Sequence, residues 1–328
     1  MEVELAAGLA GVKRACWEAF LRRVGLEPAE GLETTVLIWE DGALVAAGSR
    51  QGNVLKCMAV DPARQGEGLT ATLLTHLRQD AFSHGLRHLF LYTKPRNETM
   101  FSSLFFYPVA QTSQVLLMED QRNGIRSFVE GLEAPCRSGT IGAAVMHCNP
   151  FTRGHRWLVE TAARECDWLY VFVLSEDQGL FPAGDRLELV RQGTADLPNV
   201  TVHPTGPYLI SNATFPTYFL KDRSQAEQVQ CGLDLAVFTR YFVPRFGITR
   251  RYVGTEPLCP VTNRYHAALA QGLPEAGIQL CQLNRLEQDS VPISASAVRK
   301  LLGTGQPDRL RALVPETTFA YLQARQMI

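Results

Sequence analysis

Apolar positions along this chain switch between a spacing near two and a spacing near 3.6, so strand-like and helix-like stretches alternate and predict an α/β protein. Helical periodicity predicts a helix over 9–24. Two strands follow at 34–40 and 43–49, joined at Asp41-Gly42, a dipeptide that favours a tight hairpin. A third strand, Val54 to Val60, leads through Asp61-Pro62-Ala63-Arg64-Gln65-Gly66-Glu67-Gly68 into a helix at 69–84, a strand at 87–93 and a short helix near 97–104. Turn formers at Glu119-Asp120-Gln121-Arg122-Asn123-Gly124, room for a short helix, and Ala134-Pro135-Cys136-Arg137-Ser138-Gly139 mark a seam. Beyond it, Ile141-Gly142-Ala143-Ala144-Val145-Met146 is apolar enough for the middle of a parallel sheet. A helix at 156–166, a buried strand from Trp168 to Leu174, a helix at 185–197 and strands near 200–203, 250–254 and 278–283 complete a doubly wound sheet. The expected domains are 1–125, a linker at 126–139, and 140–328.

Composition narrows the possible partners. At 328 residues the chain is long enough for two cores, and its hydrophobic share of 46% is that of a globular protein. A formal net charge of -1 with mixed signs offers no basic stripe, which argues against nucleic acid. The start Met-Glu-Val-Glu-Leu lacks the features of a leader, and no run approaches the roughly 18 apolar residues of a membrane span. The expectation is a cytoplasmic protein without a membrane partner. The 8 cysteines are scattered, with no paired spacing that would suggest zinc, and are expected reduced and mostly in the core. No protein ligand for a metal can be named from the sequence.

The order of elements in the first region resembles the GNAT N-acetyltransferase fold, an α+β architecture. Its Q/R-x-x-G-x-G/A loop is carried here by Gln65 and Gly68, with Thr70 in place of the last small residue. Glycines in such a loop let backbone N–H groups approach a pyrophosphate at the start of a helix, although a glycine-rich connection is also an ordinary turn.

Two motifs in the second region carry the chemistry. Thr152-Arg153-Gly154-His155 and Ile293-Ser294-Ala295-Ser296-Ala297-Val298-Arg299 resemble the TxGH and ISxSxxR motifs of the nucleotidylyltransferase superfamily. A triphosphate attacked at its α-phosphorus gathers charge on its equatorial oxygens, and preorganised donors stabilise it. His155 is expected to donate an imidazole hydrogen bond to the α-phosphate, Thr152 a hydroxyl, and Gly154 to let the nucleotide lie close. Asn149, Pro150 and Phe151, the approach to this motif, are also expected to bind the nucleotide. Ser294 and Ser296 open a helix at 295–302, and Arg299 is placed to fork onto the β- or γ-phosphate. Arg186, in Phe181-Pro182-Ala183-Gly184-Asp185-Arg186, either reaches the triphosphate or pairs with Glu188 or Asp185. His147 either touches substrate or caps its strand. Cys148 reads as a small core residue, since no base stands at a recognisable spacing.

CNPFTRGHRWLVE (148–160), GTADLPNVTVHPTGPYLIS (193–211), ATFPTYFLK (213–221), EPLCPVTNRY (256–265) and PISASAVRKLL (292–302) resemble the citrate lyase ligase family, with His147 where that family usually carries Asn. The resemblance implies a Rossmann-like nucleotidyltransferase domain, a doubly wound parallel sheet, preceded by a smaller GNAT-like α+β domain. It implies ATP and Mg²⁺, acetate activated as acetyl-AMP, and acetylation of the CoA-derived prosthetic thiol on the citrate lyase acyl carrier protein. Residues 1–120 are then expected to hold that prosthetic arm, and Thr205 to Thr214 either flanks the acetate or thiol or is an ordinary surface loop. Competing readings are an acetyl-CoA-dependent N-acetyltransferase, a nucleotidyltransferase of cofactor synthesis and a non-catalytic nucleotide-binding scaffold.

Overall fold

The computed structural model describes residues 1–136, 138–176, 179–209, 223–255 and 260–328, and of these the side chains of 223–227 and 260–263 are not described. The chain divides into two compact units. One is Met1–Gly124 together with a later stretch ending at Leu233, and the other is Ile125–Thr214 with Asp234–Ile328.

The first unit runs β1 (Glu2–Ala7), α1 (Gly11–Arg23), β2 (Thr34–Glu40), β3 (Ala43–Gln51), β4 (Val54–Val60), α2 (Leu69–Ser83), β5 (Phe90–Thr93), α3 (Glu98–Ser103), β6 (Tyr107–Gln111) and β7 (Leu116–Glu119). Its seven strands lie in the order β1-β2-β3-β4-β5-β7-β6. All neighbours are antiparallel except β4 and β5, which pair in parallel only at Val54↔Phe90 and Leu55↔Leu91 and then part. In β4, Cys57 takes a positive φ of 53°, and the β3–β4 register shifts between Ala47 and Ser49. Such a bulge bends its strand. Leu69, Leu73, Leu74 and Leu77 of α2 recur at helical spacing and pack on this sheet with Val36, Ile38, Leu55 and Leu91. The expected α+β unit is present. Strands β1, β6 and β7 are additions to what the sequence predicts.

The second unit begins with α4 (Gly124–Glu130), whose first residue still belongs to the first unit, then β8 (Ile141–Met146), α5 (Arg153–Arg164), β9 (Trp168–Val173), α6 (Ala183–Gly193) and β10 (Val200–Pro204). After α7 (Arg223–Val237), which belongs to the first unit as far as Leu233, it continues with α8 (Val243–Phe246), β11 (Arg250–Gly254), α9 (Pro260–Glu275), β12 (Gln279–Leu283), the two-stranded ribbon β13 (Glu287–Gln288) and β14 (Val291–Pro292), and helices α10 (Ala295–Leu301), α11 (Pro307–Leu313) and α12 (Glu316–Ala324). Five strands form an all-parallel sheet in the order β10-β9-β8-β11-β12. The order reverses at β8, so the crevice beyond the carboxyl ends of β8 and β11 is the place where such sheets bind ligands. β8 fits the centre because it is small: a Cβ on Gly142 would lie 2.9 Å from the Tyr252 ring and 3.0 Å from Cys166 Sγ. Helix α5 buries Val159, Ala162 and Ala163 against this sheet.

The stretch 126–139, expected as a linker, is not a free connector. Ile125 and Val129 of α4 are buried, and Arg245 donates to the carbonyls of Val129, Glu130 and Leu132. Three anchored carbonyls and a buried helix face make this stretch part of the second unit. Among the described residues no helix is long and apolar enough to cross a membrane.

Candidate active site

The site grows out of the carboxyl end of β8. His147 and Cys148 leave the strand, and Asn149, Pro150 and Phe151 carry the chain to Thr152, the N-cap of α5. The cap is reciprocal. Thr152 Oγ1 accepts from the His155 backbone N–H (3.3 Å), and His155 Nδ1 accepts from the Thr152 backbone N–H (3.1 Å). Nδ1 therefore carries no proton, and the Thr152 hydroxyl at 2.9 Å donates to it as well. The imidazole proton must sit on Nε2, which has no partner among the described residues. Burial, then the charges of Arg285 and His147, push the His155 pKa down to about 4, so the ring is a neutral donor at neutral pH.

This geometry corrects four expectations. Thr152 is 1% exposed and both of its polar groups are spent on His155, so it orients the histidine instead of offering a hydroxyl to phosphate. Phe151 is fully buried and its ring lies nearly parallel to that of His155, with centroids 6.0 Å apart, so it backs the histidine from the core. Arg186 is 0% exposed: Nε donates to Phe181 O (3.1 Å), Nη1 to His147 O (2.7 Å) and Leu174 O (2.9 Å), and Nη2 to Glu176 O. It clamps the ends of β8 and β9 to the loop before α6 and cannot reach a triphosphate, although its charge remains beneath the crevice. Asn149 is also buried, and its Oδ1 accepts from the Phe181 N–H (3.2 Å), so the side chain secures a loop.

The second motif folds against the first. Ser294 caps α10 by accepting from the Ala297 N–H at 3.1 Å. Arg299 Nη2 donates to Ser296 Oγ (3.1 Å) and Nη1 to Asn149 O, which ties the two motifs directly. Gly154 makes the approach possible: a Cβ there would stand 3.1 Å from Ile293 O. The second motif therefore already presses on the glycine that was expected to let the nucleotide lie close. His155, Ser294, Ser296 and Arg299 are thus gathered at one end of the sheet, with Pro150 buried in the turn between them.

Sequence reasoning passed over two residues. Arg285, just past β12, donates from Nε to Thr255 O (2.6 Å) and lies close enough to His155 to depress its pKa. Glu176, past β9, is largely buried, and burial raises its pKa against the opposing charge of Arg186. Both follow the carboxyl end of a parallel strand, and that position was the available signal. The described part of the segment from Thr205 is packed, with Thr205 at 0% and Tyr208 at 1% exposure, and 210–214 lie outside the described residues.

An all-parallel doubly wound sheet whose central strand runs into a capped histidine, with a serine–arginine motif closing on it, defines a nucleotidyltransferase-type domain. A family model described as the citrate lyase ligase C-terminal domain matches residues 141–322, and one described as the acetyltransferase (GNAT) family matches 13–101. The chain is 42% identical over 316 residues to the citrate (pro-3S)-lyase ligase of Klebsiella pneumoniae, covering 94% of this chain and 92% of that one. It is 40% identical over 311 residues to the Escherichia coli protein of the same name, covering 93% and 88%. A local match, 36% identical over 67 residues, covers 20% of this chain and 42% of a phosphopantetheine adenylyltransferase of Dehalococcoides mccartyi. The chain belongs to the citrate lyase ligase family and is an enzyme of that ligase type.

Proposed function

We propose that the protein activates acetate with ATP as acetyl-AMP and transfers the acetyl group to the thiol of the CoA-derived prosthetic group on the citrate lyase acyl carrier protein, releasing AMP and pyrophosphate. One observation carries the reading: a neutral histidine with its proton fixed on Nε2 stands in the crevice where Arg299 joins the two motifs. An acetate oxygen attacks the α-phosphorus, the phosphoryl oxygens gain charge, and His155 Nε2–H meets it without reorganising. Arg299 and Ser296 serve the departing pyrophosphate, and Arg285 adds positive charge beside His155. Because the phosphate stays charged in the acyl-adenylate, the same donors serve AMP as leaving group. Mg²⁺ would be carried in on the triphosphate oxygens, where it would neutralise phosphate charge. The local likeness to an adenylyltransferase favours attack at the α-phosphorus over other positions.

The first unit contributes a cavity of about 560 Å³ where β4 and β5 part, lined by Met58, Leu69, Leu91 and Phe101, with Gly66 and Gly68 at the head of α2 and Lys94 and Arg96 at its edge. Apolar walls leading to backbone N–H groups and cations suit a pantetheine arm ending in phosphate. This cavity is the proposed seat of the prosthetic group.

Acetate-dependent ATP–pyrophosphate exchange tests the adenylation. The wild type exchanges only with acetate present, and His155→Ala falls by about 100-fold, the scale of one lost oxyanion-type donor of roughly 3 kcal/mol. Exchange indifferent to acetate, or unchanged in the variant, contradicts the reading.

A further inference from the structure

The crevice holds a second histidine in the opposite arrangement. His147 follows β8 directly, with its side chain 42% exposed, and its Nε2 is buried 3.4 Å from Glu176 Oε1, past the end of β9. No hydrogen bond is closed across that gap, and the carboxylate is 11% exposed. Nδ1 has no partner among the described residues. A carboxylate facing Nε2 calls for the proton there, which leaves the Nδ1 lone pair open. The groups around the ring are Glu176, the buried Arg186, Arg299 and His155. Burial and then the two guanidinium charges hold its pKa near 4, so the ring is an unprotonated acceptor at neutral pH.

Resting on the adenylation reading, we propose that His147 is the general base for the thiol and that Glu176 is its positioning residue. Acetate enters the first half-reaction already ionised and needs no proton acceptor, so this pair has work only in the second. There the S–H bond breaks and the proton passes to His147 Nδ1. The sulfur pair forms the S–C bond to the acetyl carbonyl, the C–O bond to phosphate breaks, and AMP leaves with that electron pair. The imidazolium then returns its proton to solvent. The 3.4 Å separation fits a catalytic contact that tightens only when substrate is bound.

The experiment pairs two assays on the full chain: acetate-dependent exchange, and single-turnover thioester formation from synthetic acetyl-AMP and deacetylated citrate lyase. In His147→Ala, thioester formation at neutral pH falls by about 100-fold, far more than exchange. It recovers as the pH is raised, because the thiol then ionises unaided, and with added imidazole. Glu176→Gln shows a smaller fall with the same pH trend. Equal losses in both assays, no loss in either, or a loss that neither alkali nor imidazole repairs overturns the proposal. A wild type lacking exchange overturns the adenylation reading itself, which separates the two failures.

Discussion

Two imidazoles beyond one strand end differ in which nitrogen the protein faces, through a backbone N–H for His155 and a carboxylate side chain for His147. His155 points Nδ1 at the Thr152 N–H and is left with an Nε2–H donor. His147 turns Nε2 toward Glu176 and is left with a lone pair. A donor and an acceptor are what charge stabilisation and thiol deprotonation respectively require. Thr152 is therefore the residue whose loss separates orientation from contact. Thr152→Ser keeps the cap and the hydroxyl donor and retains near wild-type exchange. Thr152→Val loses both, costs about 1 kcal/mol of stability and lowers exchange by about tenfold, the worth of one hydrogen bond. Nitrogen NMR of His155 provides the direct check: the Nε2–H form dominates in the wild type and in both variants, because the backbone N–H of residue 152 still donates to Nδ1. A proton on Nδ1 of the neutral ring in any of the three contradicts the account.

Elements bring the two motifs together by a route that spacing alone does not reveal. The ribbon β13–β14 closes where the Ile293 N–H donates to Leu286 O (2.9 Å), which brings Arg285 beside Ser294, and the Ile293 carbonyl then rests over Gly154 at the head of α5. Gly154→Ala places a methyl 3.1 Å from a backbone oxygen that a hydrogen-bonded ribbon holds. The expected cost is about 1–3 kcal/mol of strain, with a higher KM for ATP as the second motif is pushed off the first. Thermal unfolding and ATP saturation curves check it, and an unaltered KM contradicts the packing account. The motifs themselves were legible because each is contiguous and sits at a strand-to-helix or loop-to-helix junction. The roles of Arg186 and Asn149 were not, since a charged or polar residue near a motif looks solvent-facing until tertiary structure buries it against backbone groups. Helix α5 starts at Arg153, ahead of the expected 156, because the cap recruits the motif into its first turn. Strands β6 and β7, with five and four residues, are too short for alternation to register.

At the scale of the molecule, period and turn residues gave the run from α1 to α3 in the first unit and the five parallel strands of the second. The boundary was harder to read, because a Pro- and Gly-bearing stretch resembles a linker whether or not its flanking helix is buried. The division of labour proposed for the two units makes the first-unit cavity a determinant of carrier affinity. Ala71→Phe, at the cavity wall, raises the KM for deacetylated citrate lyase more than the KM for ATP. Equal effects on both constants contradict that assignment.

Isotope tracing tests the central claim most directly. With ¹⁸O-acetate, ATP and deacetylated citrate lyase, attack at the α-phosphorus followed by cleavage of the acyl C–O bond leaves one labelled oxygen in AMP and none in pyrophosphate. Label absent from AMP, or found in pyrophosphate or free phosphate, contradicts an acyl-adenylate.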